Sequence, residues 1–373
     1  MHTIGTNGGA VLFPESFTAD HAAPLGRTAF RSGILWCCLS GSGIAFSFYG
    51  TECTLHLTAD SACSGGESTA ARFAVYVNDI RIIDTQLTQP VLSLCLKNPG
   101  SEETPARVRF IKLSEAAFSS VGIREITVSA SEAIHRKYQS GLLVPQKPAA
   151  HLIEFIGDSI TCGYGVDGIC EKNPFLTANE DVTKSYAWLT AQELNADYSM
   201  ICYSGYGIIS GYSADGSIVT GQLVPHWYEK TGYSTAFLDA HTQMQDIPWE
   251  FAVQPDLIVV NLGTNDASYT GTDPEKQAVF TEAYTAFLKQ IRKHNPDAPL
   301  ICTLGIMDQR LCDAVEQAVA GFRTETGDTR TETMRFDLQS EADGYAVDWH
   351  PSALTHRKAA DKLTRFISSR YNW

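Results

Sequence analysis

Hydrophobic and polar residues alternate along the first third of the chain. Between about residues 10 and 130, apolar side chains occupy every second position in five short segments, at 44–48, 53–57, 73–77, 108–110 and 126–128. Alternation with a period of two is typical of strands that bury one face, and glycine, serine, asparagine and aspartate mark turns between them. No long amphipathic helix is visible there. The pattern therefore predicts an all-β antiparallel sandwich of the jelly-roll type.

A different pattern begins near residue 150. Short apolar runs at 152–156, 200–203, 257–260, 300–304 and 334–337 alternate with helical segments at 185–194, 274–294 and 352–371. The second of these helices has Asp273 as its N-cap and Pro274 at its first position. Continuous apolar strands alternating with helices predict a parallel sheet covered on both faces, a three-layer α/β/α architecture of the flavodoxin-like kind.

The change of pattern predicts two domains, as does the length of 373 residues, which exceeds that of one typical domain. We assign residues 1–135 to the β-sandwich, 136–150 to a connection and 151–373 to the α/β domain. The connection contains an apolar stretch at 142–144, so it is not expected to be a free linker.

Composition and charge argue against two classes of protein, those that bind nucleic acid and those that span a membrane. The chain is 44% hydrophobic and 19% charged, and its formal net charge of -14 argues against a nucleic-acid-binding surface. The first residues show neither the basic nor the apolar region of a signal peptide, and no apolar run approaches the ~20 residues that cross a bilayer. We expect no membrane association, and either a cytoplasmic location, if Met1 is native, or secretion with the signal removed.

The ten cysteines are scattered and form no C-x-x-C pair. Most lie in apolar runs, which is typical of reduced, buried thiols rather than of a disulfide framework or a zinc site. We therefore expect neither a metal nor another cofactor.

Candidate catalytic residues follow the predicted strands. Ser159 comes after the first strand of the α/β domain, Gly205 after the second and Asn265 after the third, while His350 precedes the last helix. In parallel sheets the active site lies at the carboxyl ends of the strands. A serine hydroxyl needs a base such as histidine to become a nucleophile, and the resulting oxyanion needs N–H donors. These residue types together are those that acyl transfer requires.

These four segments resemble, in order and spacing, the motif blocks of the SGNH (GDSL-type) hydrolases over residues 150–373. The matching residues are Gly157-Asp158-Ser159-Ile160-Thr161, Ser204-Gly205-Tyr206-Gly207, Gly263-Thr264-Asn265-Asp266 and Asp348-Trp349-His350-Pro351. The resemblance implies that Ser159 is the nucleophile and His350 the general base. It also implies an oxyanion hole formed by the Ser159 and Gly205 N–H groups and the Asn265 side chain.

A narrower resemblance covers the whole chain. A β-sandwich before this domain, with the segments 153–165 and 348–351, is similar to carbohydrate esterase family 2. The resemblance implies a metal-independent enzyme that removes acetyl groups from xylan, mannan or their oligosaccharides through an acetyl-enzyme. It also implies that the front domain is similar to a carbohydrate-binding module, packs against the catalytic domain and helps to shape its cleft. The expected partner is thus an acetylated saccharide.

The group that orients His350 is left open by the sequence. SGNH hydrolases commonly place an aspartate three residues before the histidine, but Val347 occupies that position and Asp348 lies two residues before. In an extended segment, residues two apart point the same way, so Asp348 can reach the imidazole and complete a triad. The alternative is a backbone carbonyl that orients His350 in a Ser–His dyad.

Other polar residues near the motifs have simpler interpretations. We expect Asp158, Asp266 and Gly207 to be structural, and His356 to be a weaker candidate for the base than His350. Aromatic residues in loops of the α/β half are candidates for stacking on sugar rings: Tyr206, Trp227, Trp249 and Trp349.

Two other functions remain open. The same catalytic scaffold serves lipases and thioesterases, although no apolar lid-like stretch lies near Ser159. The chain can also be a glycan-binding protein whose hydrolase site is vestigial. The sequence leaves the oligomeric state undetermined.

Overall fold

The computed structural model of the protein describes residues 11–15 and 20–373. Within them, the first part of the chain forms two six-stranded antiparallel sheets. One sheet has the order β3-β4-β11-β6-β9 with β1 added to β11, and the other has the order β12-β5-β10-β7-β8 with β2 added to β5. The strands are β1 (Val11–Glu15), β2 (Ala23–Leu25), β3 (Thr28–Arg31), β4 (Ile34–Cys37), β5 (Gly43–Phe48), β6 (Glu52–Ala59), β7 (Arg72–Val77), β8 (Ile80–Gln86), β9 (Val91–Lys97), β10 (Ala106–Lys112), β11 (Val121–Ala130) and β12 (Leu143–Pro145).

The alternating pattern of the sequence produces the core of this sandwich. Along β6, Cys53, Leu55 and Leu57 are buried between the sheets, whereas His56 and Thr58 on the opposite face are partly exposed. Because side chains alternate across a strand, one face of each strand supplies the apolar layer. The predicted sandwich is confirmed.

The segment interpreted as a connection, 136–150, contributes to the sandwich. A short helix α1 (Glu132–Lys137) overlaps its start, and β12 then pairs with β5, opposite Phe46 to Phe48. Leu142 and Leu143 are buried in the sandwich core, which explains the apolar stretch noted there.

A parallel sheet with the order β14-β13-β15-β16-β17 follows within the described residues. Its strands are β13 (Leu152–Gly157), β14 (Asp197–Cys202), β15 (Leu257–Asn261), β16 (Leu300–Leu304) and β17 (Thr331–Arg335), and its helices are α2 (Ser159–Cys162), α3 (Tyr186–Glu193), α4 (Thr264–Thr270), α5 (Pro274–His294), α6 (Cys312–Thr326) and α7 (Ala353–Tyr371). Helices α3 and α7 cover one face of the sheet, and α5 and α6 cover the other. The predicted three-layer fold is confirmed, and helix α5 has the predicted bounds.

The last strand of the sheet begins three residues earlier than the sequence pattern predicts. The strand expected at 334–337 runs from Thr331 to Arg335, with Thr331 beside Leu300 in the sheet. Thr331 is fully buried, so the strand begins at a threonine rather than at the apolar Met334 that suggested its start.

The two halves share their cores. Trp36, Cys38 and Ala116 of the sandwich lie in one hydrophobic cluster with Tyr203 and Tyr228 of the α/β half. Arg27 is fully buried at this junction and donates to the Tyr228 carbonyl and, at 3.3 Å, to the Glu154 carboxylate. No helix in the described part of the chain is long and apolar enough to span a bilayer.

Candidate active site

The parallel register places the ends of three strands side by side. Gly157 at the end of β13 lies between Cys202 of β14 and Asn261 of β15. The loops that leave these strands carry Ser159, Gly205 and Asn265. The carboxyl edge of the sheet therefore brings together residues more than 100 positions apart in sequence.

Ser159 is the first residue of α2 and is 5% exposed. Asp158 caps this helix, because its carboxylate accepts the Ile160 N–H at 3.0 Å. Gly157 must be glycine, since a Cβ there would lie 2.0 Å from the Thr161 hydroxyl. The sharp turn from strand to helix thus fixes the position of the serine.

His350 contacts the serine directly. Its Nε2 lies 2.8 Å from Ser159 Oγ, and its Nδ1 lies 3.0 Å from the Val347 carbonyl oxygen. A carbonyl only accepts, so Nδ1 carries the proton and Nε2 is the free acceptor for the serine hydroxyl. Burial lowers the pKa of His350 to about 4, although the hydrogen bond to the Val347 carbonyl and the charge of Asp348 both act to raise it. The imidazole is consequently neutral and ready to act as a base near pH 7.

Val347 packs against two glycines that follow the serine motif. It is fully buried, and a Cβ on Gly165 or Gly168 would lie within about 2.5 Å of its side chain. These two glycines make room for the valine, whose carbonyl contacts the histidine ring.

Asp348 lies differently from the extended arrangement considered for it. Its backbone is left-handed, with φ 51° and ψ 41°, and Trp349 also has a positive φ of 56°. Its carboxylate accepts a hydrogen bond from the Tyr164 hydroxyl at 2.9 Å, while the Nδ1 bond of His350 goes to Val347. The segment is not extended, and of the two alternatives left open by the sequence the structure shows a backbone carbonyl on Nδ1, with no hydrogen bond between the Asp348 carboxylate and His350.

Tyr164 is a site residue that the residue-by-residue interpretation missed. Its ring lies 4.2 Å from the His350 ring and stacks on Phe175 at 4.0 Å. Phe118 of the sandwich extends this aromatic wall, with its ring 5.4 Å from Phe175. Tyr164 belongs to the motif segment 153–165, which was the available signal, whereas nothing local pointed to Phe118 or Phe175.

The other two expected oxyanion donors, besides the Ser159 N–H, follow β14 and β15. Gly205 has a left-handed φ of 81°, and its carbonyl accepts the Tyr212 N–H at 2.8 Å. Asn265 is 6% exposed, and its amide nitrogen donates to the Tyr206 carbonyl at 2.8 Å. The same nitrogen lies 3.4 Å from the Asp158 carboxylate oxygen. One amide hydrogen is thus engaged by Tyr206, and the second has only the long contact with Asp158.

Asp266 holds the loop that follows Gly205. Its carboxylate accepts the N–H groups of Ile208, Ile209 and Ser210 at 2.7–3.0 Å. A Cβ on Gly207 would lie 2.5 Å from this carboxylate, so the absence of a side chain at Gly207 lets the loop pack closely against Asp266. Burial raises the pKa of Asp266 to about 6. Burial also raises the pKa of Asp158 to about 7, and the nearby charge of Asp266 acts in the same direction.

His356, the weaker candidate for the base, is fully buried in α7. Its Nδ1 accepts the Tyr186 N–H at 3.2 Å, and burial lowers its pKa to about 3. The structure therefore places it within the helix packing and not against Ser159.

The four aromatic candidates fall in different places. Trp349 is 54% exposed beside His350, whereas Tyr206 is buried and packs near Tyr203. Trp227 is partly exposed and stacks on Tyr233 at 4.5 Å, in a second layer behind Tyr206.

Trp249 does not belong to this site. It covers the Arg27 guanidinium at 5.1 Å and lines a cleft of about 540 Å³ together with His151, Leu152 and Asp256. Those residues lie at the amino ends of the strands, so Trp249 is at the opposite edge of the sheet. The prediction that Trp249 stacks on a sugar at the site of Ser159 and His350 is wrong, because the 54-residue segment between β14 and β15 crosses to the opposite edge of the sheet.

All ten cysteines are free thiols, and burial raises the pKa of Cys37 to about 12. Among the described residues, no group of three or more His, Cys, Asp and Glu side chains is arranged to hold a metal ion.

Comparison with known proteins identifies a family model over the α/β half. Residues 155–358 match the GDSL-like Lipase/Acylhydrolase family. The cellulase/esterase CelE of Acetivibrio thermocellus is 31% identical over 346 residues, which cover 90% of this chain and 38% of that protein. An acetylxylan esterase / glucomannan deacetylase of Cellvibrio japonicus is 26% identical over 271 residues, covering 72% of this chain and 68% of the other. The chain thus spans little more than a third of the length of CelE.

Solved structures share the complete two-part architecture. A family two carbohydrate esterase from Clostridium thermocellum, in complex with cellohexaose, superposes with a TM-score of 0.77 and 29% identity over 94% of this chain and 99% of that one. The acetyl xylan esterase Est2A from Butyrivibrio proteoclasticus superposes with a TM-score of 0.82 over 98% of this chain and 100% of that one, at 23% identity, and shows the same fold.

Proposed function

The chain belongs to the GDSL-like lipase/acylhydrolase family, and from that premise we propose that it is a carbohydrate O-acetyl esterase acting on xylo- or manno-configured saccharides. The observation that carries the proposal is the 2.8 Å contact between Ser159 Oγ and His350 Nε2 at the carboxyl edge of the sheet. That contact, with a neutral imidazole, supports nucleophilic catalysis by serine.

The acylation step follows from this geometry. His350 Nε2 takes the hydroxyl proton as Ser159 Oγ attacks the acetyl carbonyl carbon, and the carbonyl oxygen becomes an oxyanion. The N–H groups of Ser159 and Gly205 and the amide of Asn265 are the proposed donors to that oxyanion. The tetrahedral intermediate then collapses, the C–O bond to the sugar breaks, and His350 returns the proton to the sugar oxygen.

Deacylation repeats these roles with water. His350 removes a proton from a water molecule, which attacks the acetyl-Ser159 carbonyl carbon. Collapse of the second tetrahedral intermediate releases acetic acid, which ionises to acetate in solution, and His350 returns its proton to Ser159 Oγ. The Val347 carbonyl stays bound to Nδ1–H throughout and keeps the ring in the orientation that both steps use.

Two features support a saccharide as the leaving group. Trp349, half-exposed beside the base, offers a flat apolar face of the kind on which sugar rings stack. The relatives in two organisms are named as esterases, one of them an acetylxylan esterase / glucomannan deacetylase, and the Clostridium structure holds cellohexaose. The net charge of -14 suits a neutral ligand better than an anionic one.

The test is acetate release from defined acetylated xylo- and manno-oligosaccharides, followed by mass spectrometry, for the wild type and Ser159→Ala. We expect turnover by the wild type and none by Ser159→Ala, with unchanged circular dichroism. A wild-type rate in Ser159→Ala would overturn the assignment of the nucleophile.

Two further measurements separate the alternatives. A preference for octanoate over acetate esters would favour a lipase or thioesterase. Glycan binding by the wild type without any turnover would favour a binding protein with a vestigial site.

A further inference from the structure

One segment of the sandwich runs into the α/β half beside the active site. It comprises residues 113–120, between β10 and β11, and we call it the interdomain strap. The Leu113 carbonyl accepts the Val182 N–H at 3.2 Å, and the Ala117 carbonyl accepts the N–H of Thr235 at 3.0 Å. The strap is therefore fixed to the α/β half at its first residue and near its middle.

Glu115, near the centre of this strap, reaches the loop of the oxyanion hole. Its side chain is fully buried, and its Oε2 accepts the Ser204 backbone N–H at 2.8 Å. Ser204 immediately precedes Gly205, whose N–H is a proposed oxyanion donor. The contact joins a side chain of one half of the protein to the backbone of the catalytic loop of the other.

The backbone of Glu115 is itself held in place. Buried Lys112 donates to the carbonyls of Ser114 at 2.5 Å and Glu115 at 2.8 Å, and the Glu115 N–H donates to Glu180 Oε2 at 2.7 Å. A buried carboxyl group is costly unless hydrogen bonds and charge compensate it. The charge of nearby Lys112 offsets part of that cost, and the hydrogen bond to Ser204 satisfies Oε2, while Oε1 has no hydrogen-bond partner among the described residues.

The consequence is an anchor on each side of the oxyanion donor. Glu115 fixes the N–H of Ser204, and the Tyr212 N–H fixes the carbonyl of Gly205. Each residue has only two soft backbone dihedrals, so anchoring both neighbouring peptide groups restricts the direction of the N–H between them. Gly205 has a left-handed φ of 81°, a conformation that needs such support because glycine is otherwise free to leave it.

We propose that Glu115 is a positioning residue for the oxyanion hole, through which the β-sandwich contributes to catalysis. The inference rests on the proposed function, because it takes the Gly205 N–H as an oxyanion donor. Glu115 neither touches the substrate nor exchanges a proton in the reaction. What Glu115 must supply is a hydrogen-bond acceptor for the Ser204 N–H, and a negative charge is not required.

Three substitutions separate these properties. Glu115→Gln keeps an acceptor oxygen, Glu115→Leu removes it at similar volume, and Glu115→Asp withdraws it by one methylene group. We expect Glu115→Leu to lower kcat and kcat/KM by about 10- to 100-fold with KM unchanged, since removal of one oxyanion donor costs about 10²–10³. Glu115→Gln should stay within about threefold of the wild type because the neutral hydrogen bond persists, and Glu115→Asp should lie between.

A second readout distinguishes positioning from a general loss of structure. Methylboronic acid adds to a serine hydroxyl and gives a tetrahedral, negatively charged adduct. Its affinity should fall in parallel with kcat/KM in Glu115→Leu, while the affinity for the deacetylated oligosaccharide product should not change. Arg81→Met is the matched control, because it removes a different interface contact, the ion pair with Asp181 at 2.9 Å. Arg81→Met should lower the melting temperature without changing kcat/KM or the affinity for methylboronic acid relative to the wild type.

The outcomes distinguish this inference from the proposed function. Full activity of Glu115→Leu, with Ser159→Ala inactive, would overturn the inference and leave the esterase assignment intact. A loss in Glu115→Gln as large as in Glu115→Leu would also overturn it, since charge and not the acceptor would then matter. If Glu115→Leu does not fold, wild-type kcat and boronate affinity in Glu115→Asp would overturn it. An inactive wild type would instead refute the proposed function.

Discussion

Replacing Asp348 by asparagine tests how His350 is oriented. In a triad, an aspartate that binds Nδ1–H selects the tautomer, and its replacement by asparagine costs about 10⁴ in turnover by reversing that choice. Here the Nδ1 bond goes to the Val347 carbonyl, and the Asp348 carboxylate is bonded to the Tyr164 hydroxyl. The substitution therefore leaves the tautomer unchanged.

What Asp348 contributes is its charge, which favours the imidazolium that forms in the transition state. The Tyr164 hydroxyl lies 2.9 Å from the Asp348 carboxylate and the Tyr164 ring lies 4.2 Å from the His350 ring, so one tyrosine side chain lies between the two charges. For a separation on the order of 8 Å and an effective dielectric constant of about 20–40, unit charges attract by about 1–2 kcal/mol. Since Asp348 is exposed, the lower figure is favoured, and the expected loss is about fivefold.

The assay is kcat/KM for a chromogenic acetate and for an acetylated oligosaccharide, with the active-site concentration titrated in each preparation. Tyr164→Phe is the matched control, because it breaks the same hydrogen bond and keeps the charge, and we expect it to cost less than Asp348→Asn. A loss near 10⁴ in Asp348→Asn would refute the assignment of the Val347 carbonyl and make Asp348 a member of a triad.

Three further predictions concern the groups around the serine. Because the pKa of His350 is lowered to about 4, the acid limb of kcat/KM against pH should lie near pH 4, and a limb near pH 6.5 would contradict it. Asn265→Ala should lower kcat by about 10²–10³, measured on the same acetate, if its amide binds the oxyanion. The pKa of Asp158, raised to about 7, means that the folded state binds more protons than the unfolded state between about pH 4 and 7. The contribution of Asp158 to the free energy of unfolding therefore falls as pH rises through that window. Urea unfolding at pH 5 and at pH 8 measures this fall. Between the two pH values, the free energy of unfolding should decrease by a few kcal/mol less in Asp158→Asn than in the wild type.

Ser159, Gly205 and Asn265 could be located from the sequence because each lies directly after an apolar strand. The strands are continuous and buried, so their ends are visible in the sequence, and parallel pairing brings those ends to one edge. His350 could be located from its place before the final helix and from the resemblance of residues 348–351 to the family's last motif block. Local patterns sufficed wherever the site residue sat next to a regular element.

The environment of His350 could not be predicted in the same way. Its partner carbonyl depends on left-handed backbone conformations at Asp348 and Trp349, which packing of Val347 against distant glycines stabilises. No local pattern distinguishes that turn from an extended segment. Trp249 was misplaced for a related reason, since residues 203–256 have no regular period from which their path across the sheet can be inferred.

Glu115 shows why the division into two domains is incomplete as a description of this protein. A binding module that acts alone satisfies its buried polar groups within itself, but here Arg27 donates to Tyr228 and Glu115 accepts from Ser204, both across the junction. Separating the halves would break these hydrogen bonds and expose the shared core around Trp36 to water. The sandwich is thus a structural part of the α/β half, and the contact of Glu115 with Ser204 is the reason we expect substitutions in the sandwich to change turnover without touching the substrate.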